Sequence, residues 1–459
     1  MALKTLYVCT ECGYKSSKWM GKCPSCGAWS SFTEEVEETR PAANKKSASF
    51  SGYSGIQSPA VRLSELDEDS VSRRTSGCGE IDRVLGGGIV SGSVILLSGE
   101  PGIGKSTLLM QLCDSIAAPG EKILYVSGEE SPGQLKLRAR RLSVKCEGLY
   151  IQTETEVENV IEQAEKIAPG MLIVDSIQTV VCDGVQSSAG SVTQVRESAG
   201  RFISYAKSKG VTVVLVGHVN KDGGIAGPKV LEHMVDTVLH FEGDRDGTYR
   251  IIRAEKNRFG PTNEIGVFEM TDHGLVEVVN PSEALLAGRP KNVSGNCAVC
   301  VIEGTRPIIA EIQALTAPTV YAAPKRTSNG IDYNRLYMLL AVLEKRLGLK
   351  FSSCDCYVNV IGGLRLEDTA ADLPTALSLI SCLKDRPLSD GLVAVGEIGL
   401  SGECRAVTNA EQRVREAERL GFSSIILPSR NVGDKKLKQS DFNIELIPVK
   451  SVFDAITHI

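Results

Sequence analysis

Gly99-Glu100-Pro101-Gly102-Ile103-Gly104-Lys105-Ser106-Thr107 matches the pattern G-x-x-x-x-G-K-[ST] at every constrained position and follows the apolar run 94–97. A buried strand that empties into a glycine-rich loop turns backbone N–H groups toward anionic oxygens, and the helix that follows adds its positive N-terminal end. The stretch therefore predicts a cradle for the phosphates of ATP. Lys105 would reach the β- and γ-phosphates, and the Ser106 hydroxyl would ligate Mg²⁺.

Working outward, the runs 123–126, 171–174, 211–216 and 237–241 are short, aliphatic or β-branched, and bounded by turn residues. With helical patterns between them they predict a mostly parallel α/β sheet, whose ligand chemistry gathers at the carboxyl ends of the strands. Asp175 follows the second of these runs and would hold the Mg²⁺ hydration shell. Glu129 and Glu130 follow the first; Glu129 is the favoured base for the attacking water and Glu130 the alternate. His218 follows the third, placed to sense the γ-phosphate. The polar stretches 182–191 and 220–229 lie at the same strand ends and read either as contacts to a nucleic-acid strand or as solvated surface.

At 459 residues the chain is too long for a single core, and 42% hydrophobic with 23% charged residues is ordinary for a folded protein. A net charge of −5 excludes a globally basic nucleic-acid binder, so any such contact must come from local patches. With no long apolar run or secretory leader pattern, a cytoplasmic location and no membrane are expected. In that compartment the fourteen cysteines read as metal ligands or small buried hydrophobes. Cys9, Cys12, Cys23 and Cys26 form two C-x-x-C knuckles separated by ten residues, the thiolate set that a tetrahedral Zn²⁺ takes, in a segment too short to fold around apolar side chains alone. Tyr7, Tyr14, Trp19 and Trp29, with Lys15, Lys18 and Lys22 among them, read either as packing around that metal, the favoured reading, or as a nucleic-acid or protein contact face. Residues 31–60, with their run of glutamates and repeated serines, predict a flexible tether.

The phosphate loop, Asp175, the paired glutamates and Lys256-Asn257-Arg258-Phe259-Gly260 together resemble the RadA (Sms) family of bacterial DNA repair proteins. The resemblance implies a RecA-like core over 61–285. It also implies that Lys256 and Arg258 act as cationic fingers projecting into the ATP site of a neighbouring subunit, in a homo-oligomer that forms a hexameric ring. Residues 286–459 include 358–428, which is similar to the proteolytic domain of the Lon family. Matched without gaps, the nucleophilic serine of that family falls on Ala370 and its lysine on Arg413. Without a hydroxyl or a deprotonable amine this domain should not cleave peptides. The resemblance implies an assembly and DNA-binding scaffold instead, with Arg365, Lys384, Arg386 and Arg405 as candidates along a DNA path. Cys297, Cys300, Cys354 and Cys356 read as buried cysteines.

The expected fold is thus α/β, a RecA-like P-loop NTPase core with an N-terminal zinc ribbon or finger (1–30) and a C-terminal Lon-protease-like, ribosomal S5-like α/β domain. By resemblance the protein is a DNA-stimulated ATPase of homologous recombination. Its partners would be single-stranded DNA, branched intermediates and a RecA-type recombinase, with ATP, Mg²⁺ and Zn²⁺ as cofactors. A regulatory RecA-fold ATPase without DNA translocation is the alternative.

Overall fold

The apolar runs around the phosphate loop form the middle of one nine-stranded sheet. In this computed structural model the described residues are 2–9, 14–25, 27–39, 62, 73–116, 120–218, 228–243, 249–262, 264–321, 323–433 and 436–458. They fall into two compact units, Met1–Arg245 with Arg250–Glu277, and Asp246–Tyr249 with Val278–Ile459.

Across the sheet of the first unit the strands run Gly274–Glu277, Ile265–Thr271, Tyr249–Asn257, Thr237–Glu242, Val94–Gly99, Thr212–Val216, Met171–Asp175, Ile123–Ser127 and Leu149–Thr153. From Thr237–Glu242 to Leu149–Thr153 every pairing is parallel. The central strands are buried on both faces, which is why they read as unbroken apolar runs. Alternate side chains divide between two cores. Ile95, Leu97, Tyr125 and Ile173 face the helix Lys105–Ile116, whereas Leu96, Val126, Leu172 and Val174 face the helix Val192–Lys209. That long helix starts where Ser191 accepts the N–H of Gln194 and stops at Gly210, whose φ of 69° ends the turn.

The N-terminal segment forms a three-stranded sheet in which Ala2–Cys9 pairs antiparallel with Phe32–Thr39. The expected tether therefore begins later than residue 31. The run from Phe32 to Thr39 satisfies its backbone in a ladder with the knuckle strand, a pairing that composition does not reveal. Residues 40–60, the rest of that expected tether, lie outside the described residues.

The second unit has a seven-stranded sheet in the order Arg326–Asn329, Cys354–Val360, Arg306–Pro318, Asn296–Glu303, Leu392–Ala394, Ser424–Pro428, Glu445–Val449. The helix Tyr333–Leu347 buries Leu336, Leu339, Leu340 and Leu343, as its leucine spacing predicts. Cys297, Cys300 and Cys356 are buried; Cys354 is only half-buried, at the end of its strand.

Candidate functional site

Gly99 ends the central strand with φ +151°, and a Cβ there would lie 2.7 Å from the carbonyl oxygen of Phe241 and 2.9 Å from its Cβ. The loop can leave the sheet at this point only with glycine. Gly99→Ala is expected to destabilise the unit by about 1–3 kcal/mol and to weaken nucleotide binding, read from denaturant titration and binding of a fluorescent ATP analogue. Wild-type values in both would show that the loop tolerates the side chain.

Lys105 opens the helix after the loop and is only 3% exposed. Its ammonium donates to the carbonyls of Gly99 at 2.8 Å and Glu100 at 2.9 Å. Arg250, also buried, donates from Nε to the Ile103 carbonyl at 3.2 Å and so holds the loop from the strand Tyr249–Asn257. Burial lowers the Lys105 pKa to about 8, against the opposing charges of Asp175, Glu129 and Glu100. A bound phosphate would favour the protonated amine, so nucleotide affinity should fall as pH rises through about 8, approaching roughly tenfold per pH unit above it. Titrations with the fluorescent analogue from neutral pH to about pH 9.5 test this, and a flat profile would contradict it.

Asp175, at its strand's carboxyl end, is 9% exposed and accepts a 2.6 Å bond at Oδ2 from the hydroxyl of the fully buried Tyr125. Glu129 accepts from Ser176 Oγ at 2.7 Å and has His218 Nε2 at 3.5 Å from its Oε1. The bond with His218, then that with Ser176, and the Lys105 charge hold its carboxyl at about 2. Glu130 is engaged elsewhere, 2.5 Å from Arg138 on the next helix. Lys105, Asp175, Glu129 and His218 are thus gathered at one edge of the sheet. Tyr125, Ser176 and Arg250 were not singled out in the sequence, because each reaches its partner only through strand register.

The Lys256 to Gly260 motif lies at the opposite edge. Asn257 is paired with Thr237, which is paired with Ile95 near the start of the central strand, whereas the phosphate loop leaves that strand at its far end. Within one copy the Lys256 ammonium turns back onto the carbonyls of Glu232 (2.6 Å) and Val235 (2.8 Å), at the end of the helix Pro228–Met234. Asn257 Oδ1 accepts the N–H of Phe259 at 3.0 Å, and a Cβ on Gly260 would come within 3.0 Å of Gly86. Arg258 is the cation of the motif that stands outward, 52% exposed and 3.1 Å from Asp236.

Cys9 and Cys23 are buried together with Phe32, each on a tight turn in which its N–H reaches a carbonyl five residues on, Tyr14 and Ala28. Two buried thiols at the heads of paired knuckles fit a thiolate-held zinc ion. Cys12 and Cys26 lie outside the described residues, as does the stretch 219–227. Trp19 and Trp29 are exposed, Trp29 beneath the Lys22 ammonium at 5.5 Å, so the expected packing of these two around the metal does not occur. The stretch 182–191 is largely exposed, and Cys182 anchors it in the core.

In the second unit Ala370 and Arg413 are both fully buried. Arg413 donates to Asp368 Oδ2 at 2.6 Å, to the Cys300 carbonyl at 2.5 Å and to the Thr408 carbonyl at 3.0 Å. Asp368 also accepts the N–H groups of Ala370 (2.9 Å) and Ile302 (3.1 Å). The position that would carry a catalytic lysine is a structural ion pair. Arg365, Lys384, Arg386 and Arg405 are all exposed.

Residues 60–224 match the model of an AAA domain, 7–34 that of a rubredoxin metal binding domain, and 337–431 that of subunit ChlI of Mg-chelatase. Among the described residues no helix is long and apolar enough to cross a membrane. The chain is 48% identical over 453 residues to the DNA repair protein RadA of Halalkalibacterium halodurans, covering 99% of this chain and 98% of that one. It is 46% identical over 454 residues to the RadA protein of Bacillus subtilis, covering 99% and 98%. It is also 46% identical over 452 residues to that of Listeria monocytogenes, covering 98% and 97%. With a phosphate loop, an acidic strand end and a disarmed Lon-like unit in one chain, and near-full-length identity of this order, the chain belongs to the RadA family of DNA repair proteins.

Proposed function

We propose that this chain is a DNA-repair ATPase that assembles head to tail, each phosphate loop being completed by Arg258 of a neighbouring copy. The observation that carries this reading is the separation of the two halves of the site: the loop cluster and the one outward cation of the motif lie at opposite edges of the same sheet. A cation that cannot reach its own phosphate loop can serve the next one in a ring. Glu129, held anionic between Ser176 and His218, orients and deprotonates water. Lys105 binds the β- and γ-phosphates. Ser106 and Asp175 would hold Mg²⁺, which supplies charge neutralisation at the phosphates when bound.

We propose further that turnover drives movement on single-stranded DNA and branch migration of recombination intermediates, beside a RecA-type recombinase; what supports a role in repair is that the relatives are named DNA repair proteins. Stimulation of ATPase turnover by single-stranded DNA, with a threshold in protein concentration, is expected. Turnover indifferent to both would instead support the regulatory ATPase. Arg258→Ala should lower kcat by about 10³-fold or more, and leave nucleotide binding by the isolated chain unchanged. Lys256→Ala should instead loosen the helix Pro228–Met234, seen as faster amide exchange there. Equal kcat losses in both variants with no change in exchange would restore Lys256 as a second finger.

A further inference from the structure

The helix Gly79–Val84 is followed, after Leu85, by Gly86-Gly87-Gly88, all three at positive φ. The N–H of Gly87 closes this turn on the Asp82 carbonyl at 2.7 Å. The Lys256 to Gly260 motif rests on it. A Cβ on Gly86, at φ +76°, would lie 2.9 Å from Gly260 Cα and 3.2 Å from Pro261 Cδ. Glycine is what lets the two segments meet backbone to backbone.

Arg73 fastens them together. It lies on the short strand Arg73–Arg74, which pairs with Ile89–Val90 directly after the glycine run. One terminal nitrogen of its guanidinium donates to the Gly86 carbonyl, and the other to the carbonyl of Phe259, 186 residues away. Among the described residues Arg73 has no carboxylate partner, and its planar fork joins two loops instead. Arg258 is thereby held on both sides. Its N–H reaches the Asp236 carbonyl and its Nη1 the Asp236 carboxylate, each at 3.1 Å, while Arg73 pins the residue after it. A side chain that must reach the phosphates of another copy needs a fixed stem, because about 1 Å of misplacement can cost roughly 100-fold in rate.

We propose that Arg73, seated on the Gly86–Gly88 turn, is a positioning residue that aims Arg258 at the neighbouring site. The inference rests on the shared-site reading above, and its test keeps the two apart. In the full chain Arg73→Ala should lower kcat by about 10–100-fold, with KM for ATP, binding of the fluorescent analogue and circular dichroism as in the wild type. Arg73→Lys should recover little of the loss, because one ammonium cannot span two carbonyls.

The double variant Arg73→Ala/Arg258→Ala should be no slower than Arg258→Ala alone, since a residue that acts through Arg258 then has nothing left to aim. Losses that multiply, or wild-type turnover by Arg73→Ala, would overturn the proposal. Mixed in equal parts, Arg73→Ala and Lys105→Ala chains should turn over ATP at about a quarter of the wild-type rate, because intact loops then meet well-aimed fingers from the other copies. If that mixture stays at the level of Arg73→Ala while Arg258→Ala with Lys105→Ala recovers, Arg73 serves its own loop and the proposal fails. If neither mixture recovers, the shared-site reading fails, and the double variant still decides for or against Arg73 as the residue that positions Arg258.

Discussion

Lys105→Ala is expected to abolish ATP turnover, lowering kcat by at least about 10²–10³-fold. Two losses combine. The γ-phosphate loses the cation that stabilises developing charge, in a setting where Lys105 is 3% exposed and competing water is excluded. The carbonyls of Gly99 and Glu100 lose their donor, so the loop is also less well held before nucleotide arrives. Because Arg250 still holds the Ile103 carbonyl, the fold should survive, and circular dichroism should be native. Phosphate release at wild-type rate from this variant would remove the phosphate loop from the active site.

The second large effect is one of stability. Arg413→Ala should destabilise the Lon-like unit by about 3–5 kcal/mol, the cost of leaving a buried charge without its partner. Asp368 would keep its bonds to the N–H groups of Ala370 and Ile302, but the Cys300 carbonyl would lose the Arg413 donor inside the core, and the exposed Thr408 would lose it nearer the surface. Denaturant unfolding reads the loss, and a change below about 1 kcal/mol would mean that the pair is solvated, as surface pairs are. Arg413→Lys should also destabilise, since one ammonium cannot reproduce the guanidinium's geometry toward three acceptors. It should give no peptide cleavage, because Ala370 still supplies no nucleophile.

These two sites also mark how far sequence reaches. The phosphate loop is local: its nine residues fix the turn, the helix start and the lysine within one stretch, and the strand before it is apolar on both faces. The central strands are legible for the same reason. The edge strand Leu149–Thr153 is mostly exposed and reads as no apolar run, and the strands beyond Thr237–Glu242 mix exposed with buried positions. Partnerships across the chain are not local at all. Tyr125 meets Asp175 fifty residues away, Arg413 meets Asp368 forty-five away, and Lys256 folds back on carbonyls that precede it by more than twenty. In each, the residue type announces a charge or a hydroxyl, and only the register says what receives it.

The motif from Lys256 to Gly260 shows the distinction most clearly. Its composition suggests two equivalent cations. The fold makes Lys256 a cap for its own helix and leaves Arg258 outward, more than half exposed, with Asp236 as its companion.

The central claim, a site shared between copies, is tested most directly by mixing two inactive variants. Lys105→Ala lacks a working loop but keeps its finger; Arg258→Ala keeps its loop but lacks the finger. In a head-to-tail ring of randomly mixed equal parts, about one quarter of the junctions would pair an intact loop with an intact finger. ATPase activity should therefore reappear on mixing, toward about a quarter of the wild-type rate. A mixture no more active than the two variants measured separately would contradict the shared site.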